Sequence, residues 1–367
     1  MEIKNKSNSN MDIENRIDLI KQVGEEIITE EELIHLLKEK EHPIAYDGFE
    51  PSGTDIHIAQ GILRAINVNK MTKAGCKFKM LVADWHAWAN NKLSGDLEKI
   101  QLVGKYLIEV WRNCGMELKN VEFVWVSDYV KDPDYWKKVM NVARNSTVKR
   151  IIRTGQIMGR KEADVQQASQ ILYPCMQAAD IFYLNADICQ LGMDQRKVNV
   201  LAREIAPNLA LWKPIVVSHH MLMGLNEPPK SNDEDRIIEL KMSKSKPDSA
   251  IFMNDSEEDI KRKVSMAYCP PKVIQENPII EYSKYLIFEK FNTMEIKRHE
   301  KFGGDAVIEN YAELEKLYRE GKIHPADLKN SVAYYLNEMI KPVREKFAKD
   351  IKLKKLFETI KGFEVTR

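Results

Sequence analysis

The chain has 367 residues, 44% of them hydrophobic, which is enough for two domains with buried cores. Acidic and basic side chains nearly balance at a formal net charge of +1, which excludes a histone-like general affinity for nucleic acid. No apolar run is long enough to span a membrane, and the polar N-terminus MEIKNKSNSNMD lacks the apolar core of a secretory signal. We therefore expect a cytoplasmic globular protein without membrane association, in which residues 1–29 form a partly disordered extension.

Five short apolar runs predict buried β-strands, because each is nearly continuous instead of alternating with polar residues. They lie at 43–46, 78–83, 121–126, 186–191 and 214–218. Such runs are typical of parallel strands that crossover helices cover on both faces. The pattern therefore predicts an α/β fold with a Rossmann-like, doubly wound parallel sheet, whose ligand site lies at the carboxyl ends of the strands.

The remaining segments have helical patterns. Residues 127–172 exceed the length that one crossover helix needs, so we expect a helical insertion there. Strand patterns end near residue 252, which predicts a catalytic domain over 30–251 and an all-α domain over 252–367.

The exit from the first strand, AYDGFEPSGTDIHIAQG (45–61), carries a possible anion site. The pattern predicts a helix capped by Thr54 or Asp55 that ends at Gly75 and holds His57 in its first turn. Free N–H groups at a helix N-terminus attract anions, so His57 would lie over a phosphate. The alternative is an ordinary turn with an incidental surface histidine.

A second candidate is the segment LYPCMQAADIFYL (172–184). Pro174 suits a first helical position, which would place Tyr173 at the cap and Gln177 and Asp180 on the same face. A carboxylate among apolar neighbours requires a partner, which a ligand or an internal side chain would supply. The alternative is a helix whose polar face lies in solvent.

A third candidate is CQLGMDQRKVNV (189–200), where a strand ends at Gly192 and a helix begins near Asp194. An acid just beyond a strand is well placed for ribose hydroxyls, and Gln195 would point into the same cleft. Glycine-rich phosphate motifs are absent, and the five widely spaced cysteines offer no zinc-binding pair.

The segment KMSKS (241–245) is a basic loop that Pro247 separates from any following helix. A mobile loop with two ammonium groups, Lys241 and Lys244, is suited to close over a triphosphate and stabilise a leaving pyrophosphate. The alternative is a solvated basic loop.

Together these motifs resemble the signatures of class I aminoacyl-tRNA synthetases, with HIAQ (57–60) in place of HIGH and KMSKS matching in full. The chain is most similar to the tyrosyl-tRNA synthetases of the eukaryotic and archaeal type, from about residue 30 to the C-terminus. The matching segments are YDGFEPSG, ILYPCMQAADI, LGMDQRK, FGGD and HPADLKN. Ala59 and Gln60 depart from the family signature, which leaves the phosphate contact of its second histidine unassigned.

The resemblance implies a tyrosine site and an ATP site. Tyr46 and Asp180 would meet the phenolic hydroxyl, while Tyr173, Gln177 and Gln195 would surround the amino group. The implied ATP-binding residues, with Mg²⁺ sharing the phosphate charge, are Gly48, His57, Gly192, Asp194, Met221, Leu222, Lys241, Met242, Ser243 and Lys244. Of these, His57, Lys241 and Lys244 would act on the phosphates during catalysis.

The resemblance also implies tRNA(Tyr) as a partner and a homodimer formed through the region between the third and fourth strands. Phe302, His324 and Asp327 would read the first anticodon base, although His324 could simply cap the helix before Pro325. The alternatives are a tryptophanyl-tRNA synthetase, a catalytically inactive RNA-binding homologue and a small-molecule nucleotidylyltransferase.

Overall fold

The computed structural model describes residues 12–158, 167–229, 236, 240, 242 and 247–364. These residues belong to two compact units that alternate along the chain. The first unit comprises Met1–Phe49, Asn67–Val82 and Leu118–His220, and the second comprises Glu50–Ile66, Ala83–Glu117 and Met221–Arg367. The functional domain boundary at residue 252 remains a prediction.

The first unit contains a six-stranded sheet in the order β1-β6-β5-β2-β3-β4. Its strands are β1 (Gly24–Ile28), β2 (Ile44–Phe49), β3 (Lys77–Val82), β4 (Val121–Trp125), β5 (Ile188–Gly192) and β6 (Ile215–His219). Strands β2 to β6 pair in parallel, which confirms all five predicted strands and the doubly wound α/β fold. Their carboxyl ends lie along one edge of the sheet, where such folds bind ligands.

The sixth strand, β1, lies in the segment that was predicted as an N-terminal extension. It pairs with β6 in the antiparallel direction, from Gly24 opposite His219 to Ile28 opposite Val216. The sheet is therefore mixed, with one antiparallel edge strand on an otherwise parallel sheet.

The helix before β1 is held to the same unit by one buried cation. Arg16 donates hydrogen bonds to the backbone carbonyls of Ala74 at 2.7 Å, Glu41 at 2.8 Å and Leu37 at 3.2 Å. Because a buried guanidinium needs acceptors for its fixed set of N–H groups, these three carbonyls fix the position of the helix.

The helices of the described chain begin and end as follows. They are α1 (Ile13–Lys21), α2 (Glu30–Glu39), α3 (Arg64–Lys73), α4 (Asp84–Ala89), α5 (Leu97–Asn113), α6 (Val126–Tyr129), α7 (Pro133–Arg144), α8 (Val148–Thr154), α9 (Ala168–Tyr183), α10 (Arg196–Ile205), α11 (Glu257–Met266), α12 (Pro278–Tyr282), α13 (Phe288–Lys290), α14 (Tyr311–Arg319), α15 (Pro325–Lys349) and α16 (Ile351–Lys361). Gly75 follows α3 with a φ of +92°, which confirms the predicted C-cap.

Helix α9 does not begin at Pro174, as the sequence predicted, but at Ala168. Proline lacks the N–H that would donate to the carbonyl four residues earlier, so the helix tolerates Pro174 with one hydrogen bond fewer. Tyr173 therefore lies inside the helix and not at its cap, one turn before Gln177.

The second unit is mainly helical, but it also contains an antiparallel ribbon of β7 (Met294–Ile296) and β8 (Ala306–Ile308). The sequence did not predict the ribbon, because three residues are too few for a periodic pattern. In the same unit, Tyr106 packs edge-on against Phe347 and stacks on Phe357, with ring centroids 5.2 and 5.6 Å apart. No helix within the described ranges is both long and apolar enough to cross a membrane.

Candidate active site

Tyr46 on β2 and Asp180 on α9 are both fully buried in the first unit. Burial raises the pKa of Tyr46 well above its usual range, and the charge of Asp180 raises it further. The Tyr46 hydroxyl has no hydrogen-bond partner among the residues that the structure describes. Since an unpaired buried hydroxyl is costly, this atom is suited to bind a polar group of a ligand.

Two further phenols, which the sequence did not predict, belong with Tyr46 and Asp180 to one buried cluster of side chains. Tyr129, the last residue of α6, donates a hydrogen bond of 2.8 Å to Oδ1 of Asp180. Tyr135 on α7 is also buried, and its ring lies edge-on to that of Tyr129 with centroids 4.9 Å apart. The available signal was SDYVKDPDYW (127–136), where two tyrosines closely follow a strand end.

The amides predicted for the amino-group site are joined to each other. Gln177 Nε2 donates to Gln195 Oε1 at 3.1 Å, and Gln195 Nε2 donates to the carbonyl of Ile157 at 3.0 Å. Tyr173 is buried on the same helix as Gln177. The five residues predicted for tyrosine therefore all lie in the first unit, and their contacts with substrate remain predictions.

Three residues predicted for ATP lie along strands of the first unit or just beyond. Gly48 lies beside Tyr46, since a side-chain carbon built there would lie 3.7 Å from the Tyr46 hydroxyl oxygen, at ordinary contact distance. Gly192 is the last residue of β5, and Asp194 follows in a single 3₁₀ turn that leads into α10. This confirms the predicted transition from strand to helix, while the ribose contact remains a prediction.

His57 lies in the second unit, in a short extended segment. Residues 56–58 pair with 251–253 through two backbone hydrogen bonds of 2.9 and 2.7 Å, and His57 itself forms an isolated bridge with Phe252. This pairing keeps His57 outside the helix that follows, directly before its first turn.

The predicted N-cap at Thr54 or Asp55 is therefore wrong. The helical region begins with a π-helical turn, Ala59–Leu63, which follows Ile58 and the bridged residue His57. The Asp55 carboxylate instead accepts hydrogen bonds from Thr54 Oγ1 at 3.4 Å and Asn254 Nδ2 at 3.3 Å. The predicted phosphate contact of His57 remains a prediction.

Met221 and Leu222, which were predicted to bind ATP, follow β6 and lie in the second unit. Leu222 is buried and Met221 is half-buried. The next residue, Met223, accepts a hydrogen bond from the Tyr282 hydroxyl at 2.9 Å and donates its N–H to Glu281 Oε2 at 3.0 Å. This part of the chain is thus tied to α12.

Most of the KMSKS loop lies outside the described residues, including Lys241, Ser243 and Lys244. Met242 is described and is buried. The loop's contacts with ATP phosphates therefore remain predictions.

The three residues predicted to read the anticodon lie in the second unit. His324 is the N-cap of α15, and its Nδ1 accepts the N–H of Ala326 at 3.2 Å, so the capping role left open by the sequence is confirmed. Its ring is exposed, and Asp327 lies half-buried in the first turn of the helix. Phe302 ends a 3₁₀ turn, Glu300–Phe302, and its side chain lies outside the described part of the chain. Their contacts with an anticodon remain predictions.

The side chains in the described ranges include no group of three or more His, Cys, Asp or Glu that could hold a metal ion. A protein cage for Mg²⁺ is thus not formed by these residues. A metal that accompanies a nucleotide through its phosphates needs no such cage.

Comparison with known proteins gives one consistent family. A model described as tRNA synthetases class I (W and Y) matches residues 38–341. Tyrosine–tRNA ligase 1, cytoplasmic, of Arabidopsis thaliana is 49% identical over 359 residues, covering 97% of this chain and 90% of the relative.

Solved structures agree with this match. Tyrosyl-tRNA synthetase of Pyrococcus horikoshii, complexed with L-tyrosine, has 39% identity and a TM-score of 0.88 over 95% of this chain and 100% of that chain. The Leishmania major enzyme in complex with tyrosinol has 42% identity and a TM-score of 0.87 over 96% of this chain. This chain covers 52% of the Leishmania chain, about half of its length. All three relatives are named for tyrosine.

Proposed function

The chain belongs to the class I tRNA synthetases, among the eukaryotic and archaeal tyrosine–tRNA ligases, and we propose that the buried cluster of its first unit is where tyrosine binds for activation. The observation that carries this proposal is the buried Tyr46 hydroxyl, which has no hydrogen-bond partner among the described residues. The charge of Asp180 raises the pKa of this hydroxyl further after burial, so the two groups act on each other. A substrate phenol supplies both a donor for the Asp180 carboxylate and an acceptor for the Tyr46 hydroxyl.

The same geometry favours tyrosine over tryptophan. An indole N–H can only donate, so it would satisfy Asp180 but leave the Tyr46 hydroxyl buried without an acceptor. Leaving such a group unpaired costs about 1–3 kcal/mol. Phenylalanine offers neither donor nor acceptor and is disfavoured for the same reason.

At the other end of the substrate, the amino group has acceptors available on α9 and beyond β5. Gln177 and Gln195 are joined through their amides, which orients the remaining lone pairs of their oxygens. The buried phenol of Tyr173 lies on the same helix. We assign these three side chains to hold the ammonium so that the carboxylate is presented to ATP.

Activation then proceeds by in-line displacement. A carboxylate oxygen of tyrosine attacks the α-phosphorus of ATP, and the bond from this phosphorus to the bridging oxygen of pyrophosphate breaks. His57 and the lysines at 241 and 244 stabilise the negative charge on the leaving group. The terminal ribose hydroxyl of tRNA(Tyr) next attacks the carbonyl carbon of the adenylate, and AMP leaves.

Further assignments follow from family membership. Gly48, Gly192, Asp194, Met221 and Leu222 bind the nucleotide, together with Met242 and Ser243 of the basic loop. Mg²⁺ is a companion ion of the ATP phosphates. The protein acts in the cytoplasm as a homodimer, a state that light scattering of the purified protein would measure.

The decisive experiment measures exchange of labelled pyrophosphate into ATP. We expect exchange that depends on tyrosine, with tryptophan and phenylalanine inactive at the same concentration. Exchange with tryptophan alone would favour the tryptophanyl alternative. No exchange with any amino acid, together with retained tRNA binding, would favour an inactive RNA-binding homologue.

Replacement of Asp327 by alanine should separate the two half-reactions. If Asp327 contacts the first anticodon base, the variant will retain pyrophosphate exchange but aminoacylate tRNA(Tyr) less efficiently. The loss of one base contact should cost about 1–3 kcal/mol, taking base discrimination in DNA as a guide. The measurement compares kcat/KM for the natural tRNA and for a transcript altered only at that base.

A carboxylate elsewhere on α15 provides the control. Glu338 lies farther along the same helix, 3.9 Å from Lys341, in a weak ion pair. Glu338→Ala should leave both reactions unchanged. If Asp327→Ala lowers exchange and aminoacylation equally, its role is to stabilise the helix through its first turn and not to read the base.

A further inference from the structure

We propose that Tyr129 is a positioning residue that fixes the Asp180 carboxylate for the substrate hydroxyl and thereby sets discrimination against phenylalanine. This inference rests on the proposed function, because it concerns the same binding site. It assigns a role to a residue outside the motifs that identified the family. The contact that carries it is the 2.8 Å hydrogen bond from the Tyr129 hydroxyl to Oδ1 of Asp180.

The carboxylate needs this donor because of its surroundings. Asp180 is fully buried, and an ionised carboxylate in an apolar interior is costly unless it is hydrogen-bonded. A hydrogen bond to a charged acceptor is short and strong, and it restricts rotation of the side chain. The oxygen that Tyr129 engages is thereby fixed, and with it the direction of the second carboxylate oxygen.

Tyr129 is itself held in place on two sides. Its ring stacks on that of Tyr183, with centroids 4.6 Å apart and planes inclined by 28°. Tyr135 meets it edge-on at 4.9 Å and 69°. The hydroxyl of Tyr183 donates to Asp132 Oδ2 at 2.8 Å and takes no part in this ring packing. The Tyr129 hydroxyl therefore has a fixed position from which to orient Asp180.

The protonation state of Tyr129 suits this role. Burial raises the pKa of its phenol well above the usual range, and the Asp180 charge raises it further. The phenol therefore keeps its proton at neutral pH and remains a donor. Burial raises the pKa of Tyr135 as well, and the Asp180 charge raises it further.

Tyr129→Phe tests the inference, because it removes the hydroxyl and keeps the stacking ring. We expect the KM for tyrosine in pyrophosphate exchange to rise about tenfold, because the Asp180 carboxylate is no longer fixed toward the substrate hydroxyl and that hydrogen bond weakens. The kcat with tyrosine and the KM for ATP should stay near their original values. The ratio of kcat/KM for tyrosine to that for phenylalanine should fall by about the same tenfold.

Tyr183→Phe is the matched control, because it removes a hydroxyl from the same stack that bonds to Asp132 and not to Asp180. This variant should keep the original ratio between the two amino acids. Thermal unfolding of both variants shows whether each is folded under the assay conditions. Calorimetry also measures the discrimination without turnover and at low temperature. It compares the affinity for tyrosinol with the affinity for the analogue that lacks only the phenolic hydroxyl.

The outcomes are distinct. A ratio in Tyr129→Phe equal to that of the unaltered protein overturns the inference. The inference is also overturned if both variants lose stability and kcat equally while the ratio of kcat/KM for tyrosine to that for phenylalanine is unchanged. That result would show that the stacked tyrosines only stabilise the fold. If the unaltered protein itself lacks tyrosine-dependent exchange, the proposed function fails instead.

Discussion

Replacement of Lys244 by alanine is expected to slow formation of tyrosyl-adenylate by about a hundredfold, while the affinity for tyrosine stays nearly unchanged. The reason is that the ammonium interacts most strongly with the charge that develops on the leaving pyrophosphate, which exists only as the transition state is approached. Removing one preorganised donor from such a site typically costs about a hundredfold or more in rate.

Rapid-mixing measurement of adenylate formation, combined with equilibrium binding of tyrosine, tests this expectation. Lys246 offers the control, because it lies in the same basic stretch just outside the KMSKS motif. Lys246→Ala should retain the original rate. An activation rate in Lys244→Ala that equals the original rate would show that the motif lysine does not act on the phosphates.

Replacement of Asp180 by asparagine should reduce discrimination between tyrosine and phenylalanine. With Tyr129 still donating to the single amide oxygen, the amide nitrogen cannot accept from a substrate phenol. Losing a hydrogen bond to a charged acceptor costs about 1.5–3 kcal/mol, so kcat/KM for tyrosine should fall on the order of ten to a hundredfold. The kcat/KM for phenylalanine, which makes no such bond, should fall little. A site that hydrogen-bonds a substrate hydroxyl rejects the analogue without it, and tyrosyl-tRNA synthetases are themselves the best-known example.

The ratio of kcat/KM values in pyrophosphate exchange measures the effect. Asp132→Asn is the matched control, because Asp132 also accepts from a tyrosine but through Tyr183, and because asparagine retains its N-cap role for α7. The control should keep the original ratio. Should Asp180→Asn remain active with the ratio also unchanged, Asp180 serves the fold and not the substrate.

The parallel strands were predictable, because each reads as a nearly continuous apolar run, even β4, which lies at an edge of the sheet and has no fully buried residue. Strand β1, with the sequence GEEII, was missed since an edge strand keeps polar residues where it meets solvent. The start of α9 was missed for a different reason. Pro174 signals a first helical turn locally, whereas tertiary packing accepts it inside a sixteen-residue helix.

The part of the candidate site that lies within sequence motifs was predictable. Tyr46, Gln177, Asp180 and Gln195 stand in segments whose spacing and resemblance are visible in sequence. The role of Tyr129 could not be predicted in this way. It depends on the end of β4 lying beside helix α9, which comes about fifty residues later in the chain. Such a contact is fixed by the packed structure and leaves no periodic pattern.

Strand β1 also protects one edge of the sheet from pairing with a strand of another molecule. It occupies one edge of β6, whose other edge is taken by β5, so the backbone groups of this apolar strand are satisfied on both sides. A chain cut back to residue 30 would expose that edge as a template for pairing with a second molecule. On this side of the intact sheet the outward edge is instead β1, where Glu25 and Glu26 are polar side chains and Glu26 pairs with Arg196, which makes the edge a poor template for strand addition. The polar character that hid this strand in the sequence is thus what keeps the sheet from growing between molecules at this edge.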